Sequence, residues 1–354
     1  MKSFKMSTAA KIGFGVAALG VTGLSYGQSS GGANSNPLGA NEQSTKNVFA
    51  NIFQSTSAAT ANLIGLNASG VVAAPGIGPG ALAPGVNRFA LSGGQTGAAG
   101  AAGAARWNGW FALSQNNVEY SFQPLRSSGR INTGTVGVDY TLDNRMVLGV
   151  AVTGDRSDIA LNFNGGKMTG NGWTVSPYLG VPLTRNLALD ATLGFGRANV
   201  DANAAGVNAS IKSDRTIGSI GLTYRENIGN WQLSGRGAFL SVSDKLGAYT
   251  LSNGTFVQGG SVDVQQLRLG GQAGYRMGNV TPYVGLTYIY DIRRPDQQPV
   301  AGQTAANDRD AWTPTIGLRF SSGGALYGGI QYSSEQSRSQ VKNNQVLFNL
   351  GLRF

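Results

Sequence analysis

From residue 106 to residue 354, large apolar side chains recur at every second position in one segment after another. A period of two places successive side chains on opposite faces of an extended strand, so this region is restricted to β-structure. In "TGTVGVDYTL" (133–142), Val136, Val138, Tyr140 and Leu142 form one face, and Thr135, Gly137, Asp139 and Thr141 form the other. "WTVSPYLGVPL" (173–183), "QQLRLGGQAGYRM" (265–277) and "WTPTIGLRF" (312–320) repeat the pattern. So does the final stretch, "NNQVLFNLGLRF" (343–354), where Leu347 is the one apolar residue out of phase.

Alternation alone fits two architectures. In a soluble sandwich the apolar face packs on a core. In an outer-membrane barrel it meets lipid, and the polar face lines a lumen. Three features select the barrel. The segments are long, about ten to fourteen residues, which suits a tilted strand crossing a bilayer. Aromatics gather near segment ends: Tyr140, Trp173, Trp231, Tyr275, Tyr288, Tyr290, Trp312, Phe320 and Phe354. Amphipathic rings collect in this way at the two membrane interfaces. Third, connections alternate in length. Tight Asn/Gly/Asp turns at 142–145, 183–186, 227–230, 277–279 and 321–324 alternate with longer polar connections at 123–131, 158–169, 202–210, 245–261, 292–311 and 337–342. The expected fold is all-β: a transmembrane, antiparallel, up-and-down β-barrel of about twelve strands. Both ends of the barrel then lie on the short-turn, periplasmic side. After the N-terminal apolar run no helix-length apolar stretch remains, and a closed barrel is the other way to satisfy backbone groups in lipid.

Composition excludes several functions. Cysteine and histidine are both absent, which removes disulfides, thiolate and imidazole metal sites, and Ser-His or Cys-His catalysis. The acids Asp296, Asp308 and Asp310 match no defined calcium loop, so no metal and no cofactor are expected. The formal charge is +10, but the basic residues are scattered, without a nucleic-acid recognition motif. Within the barrel, Arg225, Arg236, Arg268, Arg276, Arg319 and Arg353 fall on the lumen face, opposed by Asp139 and Asp190. An arginine-rich lumen favours anions or acidic segments. Alternatively, those arginines are neutralised by lumen acids and a plug.

Upstream of the barrel are two further segments. Residues 1–27 carry Lys2, Lys5 and Lys11 around and before the apolar run Ile12–Leu24, followed by small residues. That is the layout of a cleaved secretory signal peptide. Residues 28–105 are low in complexity and rich in Gly, Ala, Ser and Asn, with a short amphipathic patch at Val48, Phe49, Ile52 and Phe53. This segment is expected to act as a short passenger, a plug or a linker.

The barrel segment resembles a known family. "TGTVGVDYTLDNRMVLGVAVTGDRSD" (133–158) is similar to the autotransporter barrel domain, through Gly137, Asp139, Tyr140, Asp143, Asn144, Leu148, Gly149 and Val150. "LDATLGFGRANVD" (189–201) and "TPYVGLTYIY" (281–290) also fit. The last strand, with Val346, Phe348, Leu350, Leu352 and Phe354, resembles the signal read by the outer-membrane assembly machinery. The resemblance implies a twelve-stranded translocator that takes its own N-terminal segment to the surface of a Gram-negative cell. A helix before the first strand often plugs such a lumen. It further implies periplasmic chaperones and the assembly machinery as partners, a surround of outer-membrane lipid and lipopolysaccharide, a monomer, and no enzymatic activity. Two departures stand out: the upstream segment lacks long repeats, and no Asn-Asn pair precedes the first strand, since Asn116-Asn117 lies within it. A small pore or structural barrel with a periplasmic arm is the competing expectation. Adhesion through the connections at 245–261 and 292–311 is a further one.

Overall fold

The computed structural model describes residues 107–353, apart from 122–126, 143–145, 163–164, 185, 205–206, 255, 294–307, 322–325 and 340. The expected signal peptide (1–27), the low-complexity segment (28–105) and Phe354 lie outside the described residues. The strands are β1 (Trp107–Tyr120), β2 (Ser127–Thr141), β3 (Val147–Leu161), β4 (Gly166–Pro182), β5 (Leu187–Ala204), β6 (Val207–Ile228), β7 (Trp231–Leu246), β8 (Tyr249–Thr250), β9 (Phe256–Val257), β10 (Gly260–Tyr275), β11 (Val280–Arg293), β12 (Asp310–Ser321), β13 (Leu326–Glu335) and β14 (Val341–Arg353). Twelve of them close into an antiparallel barrel, and β8 and β9 form a separate hairpin between β7 and β10. The seam joins β1 to β14, from Asn108 opposite Arg353 to Tyr120 opposite Val341. Closure gives each of the twelve barrel strands a partner on both sides, as a hydrocarbon environment demands.

Local chemistry explains the short turns. Ile228 pairs with Trp231 across Gly229-Asn230, and Gly229 has φ 59°. Met277 bridges Val280 across Gly278-Asn279, again with Gly278 at φ 59°. Two-residue turns of this hand require positive φ, which glycine supplies without a Cβ clash.

The apolar faces point outward. Val136, Leu193, Ile220, Val284 and Ile316 are all about half exposed on the barrel exterior, where lipid replaces water. Ring pairs mark both rims: Trp107 with Tyr140 at 4.9 Å and Trp231 with Tyr275 at 5.1 Å at the short-turn end, Tyr288 with Trp312 at 4.9 Å at the other. On β14, Val346, Phe348 and Leu352 are exposed to the outside and Leu350 partly so. Leu347 points inward, is fully buried, and belongs to one cluster with Trp110, Ala112 and Tyr178.

Two expectations need correction. The stretches 158–169 and 202–210 are not loops. β3 runs on to Leu161 and β4 resumes at Gly166; β5 runs to Ala204 and β6 resumes at Val207. β6 has 22 residues, whereas about 9–11 suffice to cross the hydrocarbon core. These strands therefore project beyond the membrane, and there the polarity of the two faces inverts. On β3 the outward series Leu148, Val150, Val152 becomes Arg156 and Asp158, while the inward series Thr153, Asp155, Ser157 becomes Ile159 and Leu161. The second correction follows. The interior is not polar throughout. Val118, Ile131, Ile159, Leu161, Met168, Val200 and Ile211 form one apolar cluster with Leu251 and Val257 from the β8–β9 region. Above the membrane the wall meets water outside, so it buries its apolar side chains inside, as a soluble sheet does.

A membrane barrel of this kind is kinetically robust. The purified protein should migrate faster on a cold detergent gel than after boiling. Identical migration in both states, with a helical circular dichroism spectrum, would remove this architecture.

Candidate functional site, the barrel lumen

The strand period sends every second side chain into the lumen, and the strand order decides which of them meet. At the short-turn end β1, β2, β4 and β13 build one network. Tyr178 Oη donates to Asp139 Oδ2 at 3.0 Å, and Trp110 Nε1 donates to Tyr178 Oη at 3.0 Å. Asn108 Nδ2 donates to the same carboxylate at 2.9 Å, and Tyr327 Oη donates to Asn108 Oδ1 at 2.6 Å. Gly149 makes this packing feasible, because a Cβ there would collide with the Tyr178 ring. Asp139 thus accepts from two neutral donors, Tyr178 and Asn108.

The arginines lie mainly on the opposite wall. Arg236 on β7 forms a bidentate pair with Asp190 on β5, its Nη2 donating at 2.8 Å, and Nη1 also donates to Thr223 Oγ1 at 2.8 Å. Arg319 on β12 stacks over the Tyr283 ring at 4.3 Å and donates to Gln272. Arg268 on β10 donates to Gln266 Oε1 at 2.7 Å. Arg276 lies beside the Gln232 amide, whose oxygen, in the orientation that satisfies both groups, accepts from Nη2 at 2.8 Å. Arg225 on β6 forms no ion pair among the described residues, and the charges nearest to it are Arg319 and Arg236. Arg353 pairs through its backbone with Asn108 in the closing ladder. Of the six arginines read as lumen-lining from the sequence, Arg236 is ion-paired with Asp190, while glutamines and a tyrosine ring receive Arg268, Arg276 and Arg319.

Sequence reasoning missed the most deeply buried charges. Arg215 on β6 spans the interior, with Nη1 donating to Asp155 Oδ1 on β3 at 2.9 Å and Nε to Asp244 Oδ1 on β7 at 3.0 Å. All three side chains are at most 2% exposed. Nearer the long-connection end, Arg338 is paired with Asp291 at 2.7 Å and with Glu335 at 2.7 Å. A signal was available. Asp155 continues the inward parity of Ala151 and Thr153, and Asp244 that of Leu240 and Val242.

Between these charged levels the wall is small and hydroxylic. Thr133, Thr174, Ser176, Thr192, Ser213 and Ser219 present buried hydroxyls that no group of the barrel wall satisfies. Such a surface offers hydrogen bonds without deep side-chain pockets.

A closed twelve-stranded barrel with both ends at the short-turn rim and a polar, small-residue lumen narrows the candidates sharply. The family model of the autotransporter β-domain matches residues 107–333, from the first strand into the thirteenth. The chain belongs to the autotransporter β-domain family.

Three solved autotransporter domains share the fold of this β-domain. The translocator domain of NalP from Neisseria meningitidis is 14% identical with a TM-score of 0.59, covering 77% of this chain and 96% of its own. The β-domain of BrkA from Bordetella is 17% identical with a TM-score of 0.60, covering 70% and 100%. The transport unit of AIDA-I from Escherichia coli is 11% identical with a TM-score of 0.57, covering 78% and 98%. Among curated proteins, the uncharacterised protein YaiT of Escherichia coli K12 is 26% identical over 227 residues, which is 59% of this chain. The matched region spans only 23% of YaiT's length. The β-domain is therefore an autotransporter-like barrel of the Gram-negative outer membrane. In barrels of this kind the short turns face the periplasm and the longer connections face the cell exterior.

Proposed function

We propose that this barrel moves its own upstream segment, residues 28–105, through the lumen and displays it at the cell surface. The carrying observation is the lumen wall itself. Its hydroxyls at Thr133, Thr174, Ser176, Thr192, Ser213 and Ser219 are buried on the inward face without a hydrogen-bond partner among the described residues, and a chain passing beside them would satisfy them. An extended backbone meeting that part of the wall finds donors and acceptors at several heights before it reaches the apolar cluster of the projecting strands. The upstream segment suits such a passage, since its Gly, Ala, Ser and Asn content adds little bulk. The barrel on this reading is a conduit and not a catalyst. Residues 1–27 act as a cleaved signal peptide, and the C-terminal sequence stripe of Val346, Phe348, Leu350, Leu352 and Phe354 is read by the assembly machinery.

The test is surface accessibility of an epitope tag placed near residue 40 in intact cells. The expected result is labelling of intact cells, removed by external protease. A tag reached only after the outer membrane is opened, with export of the barrel intact, overturns this reading in favour of a pore or structural barrel with a periplasmic arm.

A further inference from the structure

The outward face of the projecting strands carries a row of polar and basic residues that the lumen does not use. Strand register places Arg156 on β3 opposite Asn171 on β4, Asn171 opposite Asn199 on β5, and Asn199 opposite Lys212 on β6. All four side chains are exposed. They form one line across four adjacent strands. Arg156 and Lys212 stand three inter-strand spacings apart, about 14 Å. Asp158, Asp201 and Asp214 border the row on β3, β5 and β6, and two of the three are ion-paired. Asp214 is held by Arg197 at 3.1 Å, and Asp158 by Lys167 at 2.9 Å. Arg156 and Lys212 make no ion pair among the described residues, nor does Lys245, which sits opposite Asp214 in the ladder.

The row's height matters as much as its charge. One step toward the membrane the same face carries Gly154, Trp173, Arg197 and Asp214 in register, and the next step carries Val152, Val175, Phe195 and Thr216. Trp173, Val152 and Phe195 are each about half exposed to the outside. Arg156 thus sits above Gly154 and Val152 and beside Trp173, while Lys212 sits above the Arg197–Asp214 pair, at the upper border of the lipid-facing surface. At the barrel seam the exposed cation is matched by an acid: Glu119 on β1 faces Lys342 on β14, with 3.8 Å between the charged atoms.

We propose that this face binds lipopolysaccharide. Arg156 and Lys212 take the two phosphates carried at opposite ends of its glucosamine disaccharide. Asn171 and Asn199 hydrogen-bond the sugars between them, and Trp173, Phe195 and Val152 contact the acyl chains. The chemistry follows from the charges. Adjacent headgroups in the outer leaflet repel one another, and fixed cations in the barrel wall replace the divalent ions that otherwise bridge them. Charge-assisted contacts to phosphate are strong, and each cation near an anionic surface adds to binding. The face is outside the lumen, so the proposal stands whether or not residues 28–105 cross the barrel.

The test uses the full-length protein purified in detergent and titrated with lipopolysaccharide that retains both phosphates. Bound lipid is counted by native mass spectrometry. The intact protein should retain it, and R156S/K212S should bind about tenfold or more weakly. Both positions are exposed, so the double variant should stay heat-modifiable, and R156K/K212R should restore binding. K342S at the β1–β14 seam should bind as the unaltered protein does. Equal binding of dephosphorylated lipopolysaccharide would overturn the proposal, since acyl contact alone would then suffice. Unchanged binding by R156S/K212S would do so too, as would an equal loss in K342S. Competition by inorganic phosphate at the same concentration as the lipid would reduce the face to a general anion site.

Discussion

Replacing Arg215 with methionine should lower the stability of the folded barrel by about 3–5 kcal/mol. The cost comes from what is left behind. Asp155 and Asp244 would remain buried, at most 2% exposed, each having lost a charge-assisted hydrogen bond of 2.9 or 3.0 Å. Two like charges would then share one desolvated compartment without a cation between them. Equilibrium urea unfolding in lipid vesicles measures the loss. Removing the acids as well should restore most of it. The triple variant R215M/D155N/D244N has no orphaned charge, and replacing a buried ion network outright is often close to neutral. A loss below about 1 kcal/mol for R215M would mean that water reaches this level of the lumen and screens the pair. That result would argue for a wet channel at the position where the structure places a dry, charged crosspiece.

The second large effect compares two isoleucines on one strand. Ile211 and Ile220 both lie on β6, but Ile211 is fully buried in the apolar cluster of the projecting strands, while Ile220 is 49% exposed on the outer wall. Ile211→Ala should cost about 2–5 kcal/mol, because the cluster cannot collapse completely around the lost atoms. Ile220→Ala should cost far less, because lipid refills the space. Ile220→Arg should cost about 2–4 kcal/mol in a bilayer, the penalty of a cation on the lipid face near the midplane. The same change at an exposed position of a water-soluble sheet would cost almost nothing. Stability series for the three variants in the same vesicles provide the comparison. A silent Ile220→Arg alongside a costly Ile211→Ala would place water where the lipid belt should be.

The parts of the fold that were legible in the sequence are those set by local rules. Val136, Val138 and Tyr140 announce an outward face because β-strand side chains alternate strictly. Gly229-Asn230 and Gly278-Asn279 announce two-residue turns because few residues tolerate positive φ. The stretches 158–169 and 202–210 were misread because polarity served as the marker for loops. Their alternation had not stopped. It had inverted, with Ile159 and Leu161 keeping the parity of Thr153 and Asp155. Carrying parity through a polar stretch, rather than ending the strand there, would have located the apolar cluster.

The candidate site divides in the same way. That Arg236, Arg268, Asp139 and Asp190 share the inward face follows from alternation alone. That Asp190 meets Arg236, that Asp139 is held by Tyr178 and Asn108, and that Arg215 reaches Asp155, 60 residues away, does not. The sequence by itself determined strand period, the order of hairpins and the side on which the short turns lie, since each depends on residues within a few positions of one another. Only the tertiary structure decided which charges pair and where the interior turns apolar. Those outcomes depend on the register of β1 against β14 and on how far each strand climbs beyond the membrane. Register and height belong to the closed barrel as a whole: closure forces all twelve ladders to agree at once, and no single segment carries that constraint.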